Sequence, residues 1–203
     1  EKERALWRIF EQTPFEDGLA IVRATADEVL QLLDYPAYFD LLGLPLPVNR
    51  EGILAALAAD RLIRKSDAGG WDITNLGAIL FAKRLDAFRT LRRKAVRVIH
   101  YRGRDRTQTL REQEGGKGYA CSFEGLIGFI NGLLPSNEII GQALRTSVPM
   151  FPELAVRELV ANALIHQDFF ITGAGPMVEI FDDRIEITNP GEPLVDTDRF
   201  VDT

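Results

Sequence analysis

The chain has 203 residues, of which 46% are hydrophobic and 27% are charged, and its formal net charge is −6 at neutral pH. These values are ordinary for a globular protein with one large domain or two small ones, and they exclude a disordered or fibrous chain. The single cysteine, Cys121, excludes an internal disulfide and favours a reducing, cytoplasmic location. No apolar run reaches the roughly 18 residues of a membrane span. Because the chain does not start with methionine, we expect it to be a piece of a longer protein.

Positive charge is concentrated in one part of the sequence. The segment 83–111 holds eleven Lys or Arg residues and two acids, which leaves 13 basic and 28 acidic residues elsewhere. Such a local excess attracts phosphates or an acidic partner, unless the side chains are only the solvated side of strands and loops. The candidate nucleic-acid contacts in this segment are Arg92, Arg93, Lys94, Arg102, Arg104 and Arg106.

The N-terminal quarter of the chain contains weak helical signals. A short amphipathic helix is predicted over 1–11. Thr25 and Glu28 fit a capping box for a helix that reaches Leu33. Residues 35–47 are rich in aromatic side chains and proline, and short turns are expected there.

Residues 49–90 follow the order helix, small hairpin, helix. The predicted elements are a helix capped by Asn49, strands at 62–63 and 71–73, and a helix that runs to about Arg84. Either Thr74 or Asn75 caps the second helix. This order resembles part of a winged-helix module, whose last helix or wing would contact DNA, although packing alone also requires the same apolar residues.

The remaining elements alternate between strands and helices. In chain order they are a strand over 95–100, a hairpin or mobile loop over 102–118, a helix over 122–134, a further helical stretch from 136 to about 145, and strands at 177–181 and 185–188. The sequence Asn189-Pro190-Gly191 then opens a turn that extends to Pro193, because a strand cannot continue through it.

The segment 157–168 is the most informative part of the sequence. Glu158, Asn162 and His166 recur every fourth residue, so a helix displays them on one polar face. The residues predicted on the opposite, apolar side are Val156, Leu159, Val160, Ala163 and Leu164. An acid, an amide and an imidazole above an apolar stripe indicate a site more than a solvated surface.

Several familiar sites are excluded by their spacing. The run 115–118 lacks the Ser or Thr that follows the lysine of a phosphate-binding P-loop. His100, Cys121 and His166 lack the paired spacing of a zinc site. The glycines of 173–175 lead into a strand and not into a helix, which excludes a dinucleotide fingerprint.

The residues of the predicted helix suit nucleotide chemistry. The amide oxygen of Asn162 is a hard, neutral ligand suited to Mg²⁺. Glu158, one turn earlier, can orient or deprotonate an attacking water. A glycine turn after two strands lets bare backbone approach a ligand such as adenine. A helix, a hairpin and a glycine turn in this order are a known way to hold ATP.

These motifs resemble those of the GHKL ATPases. The run 158–163 resembles their N box, and 189–191 resembles a variant of their first glycine box. Together with 157–169, 179–181, 183–187 and 74–81, they closely resemble one bacterial branch. Its members are transcriptional regulators with a Schlafen-type AlbA_2 DNA-binding domain before a divergent GHKL domain of the HATPase_c_4 kind. Many of them are labelled RecG-related ATP-dependent DNA helicases.

The resemblance implies an α+β protein in which a helical, winged-helix-like part precedes a two-layer α/β sandwich, an incomplete GHKL fold. The implied domains are a connector and AlbA_2 tail over 1–48, a winged-helix-like middle region over 49–90, and a GHKL-like domain over 91–203 that is truncated at its C-terminus. The second glycine box and the ATP lid are expected after Thr203.

The resemblance also implies a function: a nucleotide-responsive, DNA-binding transcriptional regulator that forms a homo-oligomer. The implied site residues are Glu158 as base, Asn162 as Mg²⁺ ligand, and His166, Asn189 and Gly191 as further ATP contacts. DNA would bind the preceding domain and the segment 83–111. ATP hydrolysis is expected to be weak at most in the full-length protein and absent from this fragment. The alternative is a degenerate, non-enzymatic fold that mediates dimerisation or binds nucleic acid.

Two residues depart from the family pattern, and several of the site residues also have a structural role to consider. Asn189 stands where the family has Asp, and Pro193 replaces the second glycine of the box. The structural roles are an ion pair of Glu158 with Arg157 or Arg184, a loop cap by Asn162, a helix-dipole contact by His166, a loop cap by Asp168, and a positive φ angle at Gly191.

Overall fold

The computed structural model describes residues 14–140 and 145–192. Within them the chain is an α+β protein, which confirms the predicted fold class. The described residues form two compact units: the first contains 14–92 and 116–121, and the second contains 93–115, 122–140 and 145–192. The helix predicted over 1–11 and the turn residue Pro193 lie outside the described residues.

The described helices and strands have the following bounds. The helices are α1 (Ala26–Leu32), α2 (Tyr35–Leu42), α3 (Arg50–Ala59), α4 (Asn75–Phe81), α5 (Tyr119–Asn131) and α6 (Glu153–Ile165). The strands are β1 (Leu19–Ala24), β2 (Ile63–Lys65), β3 (Trp71–Thr74), β4 (Arg97–Tyr101), β5 (Thr109–Glu114), β6 (Ser136–Ile140), β7 (Arg145–Pro149), β8 (Met177–Ile180) and β9 (Ile185–Thr188). Short 3₁₀ turns occur at Phe15–Asp17, Leu85–Ala87 and Arg92–Lys94.

The first unit is built on a three-stranded antiparallel sheet with the order β1-β3-β2. Ile73, at the centre, is paired with Ile21 on one side and Ile63 on the other. The predicted hairpin of β2 and β3 is therefore confirmed. Strand β1, from the segment predicted as a connector, thus pairs with this hairpin in the first unit.

Side-chain caps start the helices of this unit where the sequence indicated. Thr25 and Glu28 form the capping box of α1, and the Asn49 side chain accepts from the Gly52 amide at 2.7 Å. Of the two candidates for α4, Thr74 is the cap, since its hydroxyl oxygen accepts from the Gly77 amide at 3.0 Å. Each cap satisfies a backbone donor that the first helical turn leaves unpaired.

The turns predicted over 35–47 are partly wrong, because Tyr35–Leu42 forms a helix. The Asp34 side chain caps it, and Pro36 in the first turn is tolerated because the amides there have no helical acceptor. Gly43, with φ +63°, ends it in the left-handed conformation. The proline that suggested a turn therefore marks the start of a helix.

Gly77 offers a test of the packing between α4 and the hairpin. A Cβ atom there would overlap the backbone of Leu62, including its carbonyl oxygen. Alanine normally favours a helix over glycine by about 1 kcal/mol. We nevertheless expect Gly77→Ala to lower the free energy of unfolding by about 1–3 kcal/mol, because a backbone must move. Urea denaturation measures this.

The matched control for that substitution is Gly116→Ala, because a Cβ at Gly116 would have no neighbour within 4 Å. It should change the free energy of unfolding by less than about 0.5 kcal/mol. Equal effects of the two substitutions would contradict the close approach of Gly77 to Leu62.

The second unit is built on a four-stranded mixed sheet with the order β5-β4-β8-β9. β4 pairs with β8 in parallel, and the other neighbours are antiparallel. Arg111 of β5 lies over the Phe129 ring of α5, and α6 packs against β9. An ion pair between Arg157 and Glu124 joins the two helices. Helices α5 and α6 thus each contact a strand of the sheet and are joined to one another.

The helical stretch predicted from 136 to about 145 is wrong. Residues 136–140 and 145–149 instead pair as an antiparallel hairpin, with Ser136 opposite Pro149 and Ile140 opposite Arg145. The apolar residues at 139, 140, 143 and 144 have a helical spacing, but pairing between the two segments satisfies their backbone groups and overrides this local signal.

Helix α6 exposes Glu158, Asn162 and His166 as predicted and corrects one member of the apolar side. Val156, Val160, Ala163 and Leu164 are buried, but Leu159 is 52% exposed. Leu159 lies at the border between the two faces, about 100° from Glu158 on the helix. The apolar stripe is therefore narrower than predicted.

None of the helices in the described part of the chain is long and apolar enough to cross a membrane.

Candidate functional site

Glu158 and Asn162 lie side by side on the exposed face of α6. Both residues are exposed, and the Asn162 Nδ2 atom donates to Glu158 Oε1 at 3.4 Å. This bond leaves the Asn162 amide oxygen to accept or to coordinate. The same face carries two exposed apolar side chains, Leu154 at 76% and Ile165 at 67% exposure. It is therefore a polar pair flanked by apolar surface.

The ion pairs that would give Glu158 a structural role are not formed. Arg157 pairs with Glu124 and lies over the Phe123 ring, 4.9 Å from its centroid. Arg184 pairs with Glu186 and Asp183. Within residues 14–140 and 145–192, Glu158 has no cationic partner. Its carboxylate is available to a water or a ligand.

The turn at 189–191 lies at the C-terminal end of α6. The Asn189 Nδ2 atom donates to the His166 carbonyl oxygen at 3.0 Å, and the Asp168 amide donates to the Pro190 carbonyl oxygen at 2.7 Å. Gly191 has φ +139°, and a Cβ there would lie 3.3 Å from the Asp168 nitrogen. The structure thus brings Asn189 and Gly191 together with the end of the helix that carries Glu158 and Asn162.

His166 ends α6 and contributes its backbone to this junction. Its amide donates to the Asn162 carbonyl oxygen at 2.9 Å, and its own carbonyl oxygen accepts from Asn189. The imidazole is exposed, near the negative end of the helix dipole. Asp168 caps the following loop as expected, because its Oδ1 atom accepts from the Phe170 amide at 2.8 Å.

The donor set suits a metal that arrives with a nucleotide. In the described part of the chain, no three His, Cys, Asp or Glu side chains are grouped so that they could hold a metal. Mg²⁺ does not need such a cage, since it keeps several waters and is often held by one or two protein ligands plus phosphates. The Asn162 amide oxygen beside the Glu158 carboxylate matches that pattern.

The basic segment 83–111 is divided between structural and free cations. Four of its arginines form ion pairs with acids: Arg84 with Asp86, Arg97 with Glu112, Arg104 with Asp183, and Arg106 with Glu179 and Glu186. Lys94 is 2% exposed, so a phosphate cannot reach it. Of the six candidates for nucleic-acid contact, three are exposed and have no described ion pair: Arg92, Arg93 and Arg102.

Sequence reasoning missed a charged cluster around Glu179. This carboxylate is buried on β8, where it accepts two hydrogen bonds from Arg106 at 2.6 and 2.8 Å and one from Tyr101 at 3.2 Å. Arg184 lies 3.8 Å from the centroid of the Phe181 ring, and Tyr101 stacks on that ring. An acid in a strand otherwise made of buried apolar residues was the available signal. The cluster attaches the loop after β4 to the β8–β9 hairpin.

The Arg106–Glu179 pair predicts a pH dependence of stability. Arg106 holds the pKa of Glu179 below its usual range. Such a carboxyl stabilises the fold above roughly pH 4.3, and the contribution is lost as the pH falls through the folded pKa. In Arg106→Met the carboxylate stays buried without its cation. We expect a lower urea midpoint at about pH 7 and a smaller further loss on acidification than in the wild type.

Arg104→Met is the control, because it removes only an exposed pair with Asp183. Its urea midpoint should stay close to the wild-type value at both acid and neutral pH. If both variants lost the same stability at neutral pH, the role of the buried carboxylate would be refuted.

Comparison with known proteins supports the fold and leaves the function unassigned. No family model matches the chain, and no curated protein matches it. The crystal structure of the DIP2311 protein from Corynebacterium diphtheriae is similar, with 22% sequence identity and a TM-score of 0.53, over 93% of this chain and 36% of that one. The chain thus spans about a third of that protein, and at this identity the likeness is one of fold alone.

Proposed function

We propose that the second unit binds ATP with Mg²⁺ over the exposed face of α6. The whole protein would be a cytoplasmic, nucleotide-responsive, DNA-binding transcriptional regulator of the GHKL-like branch with an AlbA_2 domain. The observation that carries the proposal is the hydrogen-bonded pair of Glu158 and Asn162. Both side chains are exposed, no basic side chain of the described residues pairs with Glu158, and the turn at 189–191 meets the end of the same helix.

Each residue has a role that follows from its donors and acceptors. The Asn162 amide oxygen would hold the metal, and bound Mg²⁺ would supply positive charge to the triphosphate. Glu158 would orient a water and accept its proton. Hydrolysis of ATP is expected to be weak at most. Asn189 already donates to His166, so its amide oxygen remains to accept from the adenine amino group.

Titration calorimetry with ATP and Mg²⁺ tests this site. Removal of the Asn162 amide deletes the only protein ligand that we assign to the metal, so Asn162→Ala should weaken ATP binding by about tenfold or more. Asn131→Ala, at the end of α5, is the matched control and should bind as the wild type does. Absence of heat from the wild-type protein, or equal affinity of Asn162→Ala, would refute the proposal.

A second candidate function is nucleic-acid binding by a non-enzymatic module. Its support is the set of exposed arginines without a described ion pair, above all Arg92 and Arg93. They follow Phe88 and Leu91, which are fully buried and anchor this part of the chain.

Self-association as a homo-oligomer is supported separately by an exposed apolar stretch, 41–48, in which Val48 is fully exposed.

Binding of a mixed-sequence duplex DNA at several salt concentrations tests the second candidate. Arg92→Ala/Arg93→Ala should weaken binding at low salt by about tenfold and reduce the slope of log affinity against log salt by about 2, since two phosphate contacts are lost. Arg84→Ala/Arg97→Ala removes two cations that are already paired and should have a much smaller effect. Equal losses in the two double variants would refute a specific role for Arg92 and Arg93.

A further inference from the structure

Lys94 is buried although its sequence neighbours are exposed. It is 2% exposed, whereas Arg92 and Arg93 before it in the same 3₁₀ turn are exposed. Burial of an ammonium group is costly unless its donors are satisfied. A lysine at this position therefore needs a specific reason.

The loop that follows α6 supplies the acceptors. The Lys94 Nζ atom donates to the Asp168 carbonyl oxygen at 3.1 Å and to the Ile171 carbonyl oxygen at 2.9 Å. It also lies 5.6 Å from the centroid of the Phe169 ring, within the range of a cation–π contact. One ammonium thus holds the two ends of the segment 168–171.

The same loop holds the turn at 189–191. The Asp168 amide donates to the Pro190 carbonyl oxygen, and Gly191 packs so closely on Asp168 that a side chain would crowd it. Asn189 in turn donates to the His166 carbonyl oxygen. A continuous chain of contacts therefore connects Lys94 through Asp168 to Asn189, the residue proposed to accept a hydrogen bond from adenine.

We propose that Lys94 is a positioning residue for the nucleotide site. Its ammonium holds the loop after α6 so that Asn189 lies at a set position relative to Glu158 and Asn162. This inference rests on the proposed ATP site and deepens it. Lysine suits the role because it offers three donors and no acceptor, whereas an apolar side chain of equal length would leave two carbonyl groups of the loop without their donor.

Lys94→Met tests the proposal by two independent readouts. The first is amide hydrogen exchange at Asp168 and Phe170. The Asp168 amide donates to the Pro190 carbonyl oxygen, and the Phe170 amide donates to the Asp168 side chain. We expect about tenfold faster exchange there, with β4 and β8 unchanged, because only the local opening becomes easier. The second is the affinity for ATP with Mg²⁺, which should fall about tenfold through misplacement of Asn189. Lys117→Met, an exposed lysine, is the control and should leave both readouts unchanged.

Gly191→Ala is a second variant in case Lys94→Met does not fold. It disturbs the same junction from the exposed turn and should produce the same local exchange and loss of affinity. In the double variant the losses of affinity should be less than additive, because both act through Asp168. Additive losses would assign the two residues to separate roles and overturn the proposal.

The exchange readout separates failure of this proposal from failure of the ATP site. Unchanged exchange at Asp168 in Lys94→Met, or faster exchange throughout the sheet, overturns the positioning role. Local loosening with unchanged ATP affinity also overturns it. If the wild-type protein does not bind ATP, the proposed function falls, and faster local exchange then supports the fastening of the loop by Lys94 alone.

Discussion

The parallel pairing of β4 with β8 is the constraint on which the second unit depends. Parallel neighbours cannot be joined by a tight turn, so the chain must cross over between them. Here the crossover includes α5 and α6, and it returns to β8 after the loop that Lys94 holds. The β8–β9 hairpin then ends in the 189–191 turn, beside the end of α6. Residues that are more than twenty positions apart in the sequence become neighbours for this reason.

Charge pairing decides which cations remain available to a partner. The buried Glu179 carboxylate requires a counter-charge, and Arg106 provides it. Tyr101 donates a further hydrogen bond to Glu179, and Arg106 also pairs with Glu186. Lys94 is likewise committed to backbone carbonyl groups. The basic segment 83–111, whose cations look alike in the sequence, therefore contains both cations with structural partners and exposed cations without a described ion pair. Only the latter contribute to an electrostatic attraction for nucleic acid.

Local patterns predicted those elements whose signals lie within a few residues. The capping box at Thr25, the cap at Asn49 and the β8–β9 hairpin were all predicted and are present. The errors occur where distant partners decide the structure. Residues 136–140 and 145–149 form strands because the two segments pair with each other, and strand β1 forms because one edge of β3 is left for it by β2. The sequence near these residues does not contain that information.

The sequence by itself determined the polar face of α6, since a period of four residues places Glu158 and Asn162 together on any helix. It also determined the glycine turn, because Asn-Pro-Gly cannot continue a strand. The tertiary structure alone decided that this turn meets the end of α6 and that Lys94 is buried against the loop after α6. It also decided that no basic side chain of the described residues pairs with Glu158. These facts depend on sheet order and on competition among charged groups, which act between residues far apart in the chain.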